Sequence, residues 1–190
     1  AERVLAQITS DTGMSTICVR LPLVYGPGVK ANFMELFRWV DSGMPLPLAG
    51  VRNRRSMIYV ENVAAAFVAL VGRTAGAEVF FASDGIDLST TQLIQRIAAA
   101  LNRPARLFHA PVTGLRVAGL IGDSLARLFP FPVTTAALDR LFGSLSVDSS
   151  RLRQITGALP FSVDQGLIAT AQWYRGIAAP APQLAYERTA

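Results

Sequence analysis

The chain has 190 residues, 51% of them hydrophobic, and a formal net charge of +5. That is enough apolar material for a packed core, and it excludes a disordered polar segment. The longest apolar run, residues 112–129, is broken by Arg116, Asp123 and Arg127, so it reads as a core helix and no membrane contact is expected. No charged-then-apolar segment opens the chain. Cys18 is the single cysteine, which excludes an intramolecular disulfide and fits a cytoplasmic setting. Seventeen arginines against one lysine are spread along the sequence with few aromatics nearby, an arrangement unlike a nucleic-acid surface. The basic balance still suits a small phosphate-bearing ligand, which needs only two or three placed cations.

Taken in order, residues 1–13 read as a helix closed by Gly13. "STICVRLPLVYG" follows as one strand, apolar on both faces as in a parallel sheet. A loop of Pro27, Gly26, Gly28 and Lys30 leads to Asn32, an N-cap candidate for a helix ending at Gly43. "MPLPLAG" is extended, its two prolines forbidding a central strand. "RSMIYV" is a second strand and "ENVAAAFVALVGRT" an Ala-rich buried helix. "AEVFFAS" is a third strand, and "LSTTQLIQRIAAALN" a helix with a Ser or Thr start signal. "ARLFHAP" is a brief extended piece. Helices are then expected over residues 112–129, in "TTAALDRLFG", from Asp148 onward and in "SVDQGLIATAQWYRG", before a Pro/Ala-rich tail at 179–190. Strands alternate with helices early and helices dominate later, which is an α/β pattern. Two or three parallel strands leave their edges uncovered, so the sheet is expected to be part of a larger one.

The run "VRLPLVYGPG", then "SGMPLPLAG", then "RRSMIYVENVAAAFVAL", and last "SLSVDSS" with "GLIATAQWY" resembles the C-terminal half of the extended short-chain dehydrogenase/reductases. Within that family it is most similar to the NAD-dependent nucleotide-sugar epimerases and dehydratases of the UDP-galactose 4-epimerase type. The resemblance implies the last strands of a Rossmann-type parallel sheet plus a mostly helical substrate-binding subdomain. Residues 1–30 and about 56–85 would lie on the Rossmann side, and about 31–55 and 86–178 in the subdomain. No glycine-rich dinucleotide loop and no Tyr-x-x-x-Lys pair occur in the sequence. The opening "AERVL" resembles the residues just after that lysine, so both features are expected upstream of Ala1. These residues alone are therefore expected to be inactive and not to bind NAD or NADP, while the complete enzyme would use one of the two. Association with itself or with the missing N-terminal half is expected.

The resemblance also implies site residues. Pro22, Leu23, Val24 and Tyr25 would lie against the nicotinamide of the complete enzyme. Asn32 and Lys30 would meet the diphosphate of a UDP-sugar, a role that free helix N–H groups and an ammonium favour. As alternatives, Asn32 is only a cap and Lys30 a solvated charge. Leu46, Pro47 and Leu48 match the segment on which the uracil rests, or else simply pack. Arg55 matches the arginine that grips the diphosphate, where a guanidinium fork can bind two oxygens, with Arg52 and Arg54 able to share the task. Arg140 and Arg151 are the two candidates for a second such arginine. Tyr59 and Asn62, which stand where the family has an aromatic or His and then an Asp, read as structural, with Asn62 a helix cap. Asp148 likewise caps a helix starting at Ser149.

"ITGALPF" departs from the family's usual segment at that position. His109 is isolated, so neither a metal site nor a Ser-His-Asp triad is expected. Two other readings stand beside the leading one. The first is a non-catalytic nucleotide-binding or partner-assembly module. The second is a reductase on a neutral substrate, against which Arg55 and Asn32 together argue.

Overall fold

The computed structural model describes residues 1–73, 76–111 and 142–176. The expected helix over 112–129, most of "TTAALDRLFG", the tail and Arg140 lie outside them. In chain order the elements are α1 (Glu2–Thr12), β1 (Thr16–Arg20), β2 (Leu23–Tyr25), α2 (Ala31–Asp41), β3 (Met57–Tyr59), α3 (Val60–Leu70), β4 (Ala77–Phe81), α4 (Thr90–Ala100), α5 (Ser150–Thr156) and α6 (Val163–Tyr174).

Among the described residues the strands pair two by two, both times in parallel. β1 lies beside β4 with Thr16 opposite Ala77, and β2 beside β3 with Leu23 opposite Met57. This corrects the expectation of one strand through "STICVRLPLVYG". The ladder stops after Arg20 and resumes at Leu23. Pro22 has no N–H to donate, so the run is cut there and its second part takes a different partner.

Several helix ends follow local rules. Gly13 sits in the left-handed region at φ 71 and returns its N–H to the Thr9 carbonyl. Ser89 and Gln92 form a reciprocal capping box at the start of α4, as Ser162 and Gln165 do for α6. Asn32 is not a cap. The helix α2 begins one residue earlier, with extended Lys30 at the cap position and no side-chain bond to its free N–H groups. Positive φ at Gly28 and Ala31 turns the chain into the helix before Asn32 is reached. α5 begins at Ser150, and the Asp148 carboxylate accepts the Ser150 N–H at 2.9 Å.

Two apolar clusters hold these elements. The larger joins α2, α4 and α6 to the β2–β3 pair, with Phe37, Ile97, Leu101 and Leu167 fully buried. Each such side chain contributes about 1.5–3 kcal/mol relative to exposure. The smaller lies between β1–β4 and the helices α3 and α5, around Ile58, Phe80 and Leu152. No helix among the described residues is long and apolar enough to cross a membrane.

Candidate functional site

Ligand sites in open parallel sheets gather beyond the carboxyl ends of strands. Here β2 and β3 both end on tyrosines, Tyr25 and Tyr59, opposite each other in the register. Their rings lie 5.7 Å apart, and Tyr25 also stacks on Phe33 of α2 at 5.6 Å. Residues 26–32 are therefore a short arch pinned at both feet by stacked rings. Gly26 is required at its first step. Its φ is 146, and a Cβ there would stand 2.6 Å from Val60 Cγ1, at the start of α3. The helix α6 crosses both tyrosines at Gly166, where a Cβ would meet Tyr25 Oη at 2.8 Å and Tyr59 Cδ2 at 2.9 Å.

The carboxylate that organises these strand ends was not singled out from the sequence. Asp84, in the turn after β4, accepts from the Tyr25 hydroxyl at 2.8 Å, from the Tyr59 N–H at 3.1 and 3.2 Å, and from Asn62 Nδ2 at 2.8 Å. Burial raises its pKa, and the three donors offset part of that rise. Burial, followed by the neighbouring Asp84, also raises the pKa of the Tyr25 phenol, which stays protonated. Asn62 is a structural residue of another kind than a cap. It sits inside α3, donates to the Phe161 carbonyl at 2.8 Å and accepts the Phe161 N–H at 3.0 Å.

A second acid in the same turn region, Asp87, holds the arginine-rich segment. It accepts from the hydroxyls of Ser56 and Ser146, each at 2.5 Å, and pairs with Arg54 at 3.2 Å. Burial pushes its pKa up, but the two hydroxyls and Arg54 outweigh that and hold it below the usual carboxylate value. Both acids follow "FFAS" in a polar turn, the one signal that could have drawn attention to them.

The expected site residues are distributed as follows. Pro22 and Val24 are half-buried, Leu23 is 40% exposed, and Tyr25 is buried with its phenol committed to Asp84. Lys30 and Asn32 are exposed and make no ion pair or side-chain hydrogen bond among the described residues. Leu46 and Leu48 are core residues, at 7% and 3% exposure, with half-buried Pro47 between them. Their main chain is largely engaged. Leu46 exchanges bonds with Arg106 and Phe108, and the Leu48 carbonyl accepts the Thr91 hydroxyl at 2.6 Å.

Arg55 is held by its backbone between Leu88 and Leu145, while no carboxylate pairs with its half-buried guanidinium among the described residues. Burial lowers its pKa from the ordinary guanidinium value. It precedes β3, and Lys30 follows β2, so the parallel register sets these two cations toward opposite ends of the strand pair. Arg151 is engaged elsewhere. Its guanidinium pairs with Glu78 and stacks over the Phe80 ring at 4.8 Å, tying α5 to β4. Arg52 and Arg54 border an open polar hollow of about 500 Å³, together with Asn53, Asp87 and the first turn of α4.

Residues 1–80 match the NAD dependent epimerase/dehydratase family. The chain is similar to a UDP-glucose 4-epimerase of Vibrio cholerae, 34% identical over 176 residues that cover 90% of this chain and 50% of that protein. It is also similar to a ceramide reductase of Caulobacter vibrioides, 27% identical over 165 residues, 85% of this chain and 51% of that one. The Bordetella bronchiseptica enzyme WbmF, solved in complex with NAD+ and UDP, shares the fold at a TM-score of 0.63 and 20% identity, over 92% of this chain and 50% of that chain. The chain thus has an α/β fold of the Rossmann-type dehydrogenase/epimerase kind and spans about half the length of the curated relatives it matches.

Proposed function

We propose that this chain is the substrate-binding portion of an NAD(P)-dependent nucleotide-sugar epimerase or dehydratase, and that Arg55 is its diphosphate ligand. The observation that carries the reading is the half-buried Arg55 guanidinium, whose backbone is bonded on both sides and which has no carboxylate partner among the described residues. A partly desolvated cation of this kind is favoured by a polyanion that supplies the missing charge, and its planar fork suits two phosphate oxygens. The match of residues 1–80 to the epimerase/dehydratase family supports the same reading, as does the likeness to a UDP-glucose 4-epimerase. Lys30 and Asn32, toward the other end of the strand pair, would meet a different part of the sugar nucleotide than Arg55 does, and residues 46–48 would border the base.

The described residues fit a dinucleotide only in part. Exposed Leu21 and Leu23 offer an apolar lip for one face of a nicotinamide. No glycine-rich loop is present to hold a pyrophosphate, nor a Tyr-x-x-x-Lys pair to move a proton. NAD or NADP, when bound to the complete enzyme, would supply hydride transfer. This chain's share would be to hold the sugar nucleotide in place. Further sheet and helix would then cover what is open here. β1 has a partner strand on one side only among the described residues, α1 buries none of its residues, and Val60, Phe67 and Val68 on α3, with Val71 just past its end, are exposed.

Calorimetric titration with UDP, UDP-GlcNAc and NAD tests the reading. Heat with both uridine ligands, lost in Arg55→Ala and absent with NAD, is expected. A wild-type chain that gives no heat with UDP overturns the proposed ligand. It would favour the second reading, a reductase on a neutral ketone, which the similarity to a ceramide reductase supports.

A further inference from the structure

We propose that Asp84 is the positioning residue of this site, fixing the ends of β2 and β3 and with them the arch of residues 26–32. The inference rests on the proposed function only for what the arch binds; the positioning itself rests on geometry. Asp84 joins two separate pieces of chain with one side chain, accepting from the Tyr25 hydroxyl at the end of β2 and from the Tyr59 N–H and the Asn62 amide where β3 runs into α3. Its own N–H donates to the Met57 carbonyl at 2.9 Å, so the turn is also tied to the first residue of β3. No cation neutralises the carboxylate among the described residues, so its charge is balanced by donors alone. An acid buried in this way keeps its place through hydrogen bonds and transmits that placement to every group that donates to it.

The route to the arch is short. Tyr25 is the last residue of β2 and the first foot of the arch, and its ring stacks on Phe33, which follows the second foot. When the phenol is held, both feet are held. Without Asp84 the phenol keeps one acceptor, the Val163 carbonyl 3.3 Å away on α6, and would be drawn toward it. The arch contains three residues with positive φ, Gly26, Gly28 and Ala31, and no side chain caps the helix that follows. Little inside the arch itself opposes a shift of its feet.

Asp84→Asn separates positioning from bulk stability. The asparagine keeps a carbonyl oxygen for Tyr59 and Asn62 but presents an NH2 where the phenol donated, so only the Tyr25 link is reversed. Hydrogen exchange of the whole, ligand-free chain is the first readout. Exchange is expected to rise at least tenfold in peptides spanning residues 23–37 and 57–66, and to stay within twofold over 90–100. No rise, or an equal rise everywhere, overturns the proposal. Tyr25→Phe removes the phenol alone and keeps the ring. It is expected to loosen the same peptides to a smaller degree, and it decides the matter if Asp84→Asn does not fold, an unchanged pattern again overturning the inference. UDP titration is the second readout. A several-fold loss of affinity in Asp84→Asn is expected, and unchanged affinity overturns the link between positioning and binding. A wild-type chain that does not bind UDP sinks the assigned ligand instead, and leaves the exchange result to decide the positioning.

Discussion

The regions built on the two strand pairs both carry apolar helices, and they are differently buried. Around β2–β3, helix α2 buries Phe33, Leu36, Phe37 and Val40, and α4 buries five residues of its own. Around β1–β4, helix α3 reads VENVAAAFVAL, yet it buries only Asn62, Ala66 and Leu70, while Val68 is 51% and Val71 80% exposed. The difference teaches that an apolar sequence specifies a demand for cover, and the neighbours decide whether it is met. The first region meets it within the described residues. Among the same residues, the second leaves a sheet edge and a helix stripe open.

That contrast can be broken or sharpened by substitution. The largest effect is expected at Phe37, a fully buried residue of α2 whose ring packs on that of Tyr174. Phe37→Ala should cost about 3–5 kcal/mol in denaturant unfolding, with little change of slope. Gly166→Ala drives a methyl into Tyr25 and Tyr59, and about 1–3 kcal/mol is expected by the same measurement. At the bottom of the scale, Phe67→Ser on the exposed stripe of α3 should change stability by less than about 0.5 kcal/mol and reduce binding of a hydrophobic dye. A loss at Phe67 comparable to that at Phe37 would erase the contrast.

Between these extremes lie the two acids and the caps. The depressed pKa of Asp87 means that its ionised form stabilises the fold. The contribution is present above the unfolded carboxylate value of about 3.9 and is lost as pH falls through the lower folded value. The raised pKa of Asp84 has the opposite sign. Its contribution is full below the unfolded value and declines as pH rises through the folded one. Stability measured from pH 3 to 7 should therefore lose part of its acid limb in Asp87→Asn, at a cost of about 1–2 kcal/mol at pH 7. In Asp84→Asn the opposing slope should disappear. Ser89→Ala, which removes one half of a capping box, should cost about 1 kcal/mol.

What could be read from the sequence was what local chemistry decides. Gly13, Ser89 with Gln92, and Ser162 with Gln165 each act within four residues, and each helix end lies where its signal stands. The break at Pro22 carried a local signal that the surrounding β-branched run masked. Asn32 misled because a capping residue type was present while the turn through Gly28 and Ala31 fixed the helix start ahead of it. Asp84 could not be found from spacing, since its donors at 25, 59 and 62 approach it only after three strands and a helix have assembled. The pairing of Arg151 with Glu78 was hidden for the same reason.

The order of the strand pairs has a kinetic consequence. β2 and β3 pair inside the stretch of chain that β1 and β4 bracket, so the two pairings are nested. Parallel strands cannot be joined by a tight turn, and each closure must gather a helix on the way. The inner loop is the shorter, and once it has closed, the outer strands are separated by a compact folded segment instead of free chain. A refolding molecule is therefore expected to assemble from the inside outward. The contacts of β1 are then expected to form last, so that an interrupted molecule would present an unpaired strand to its neighbours, and aggregation during refolding should begin there.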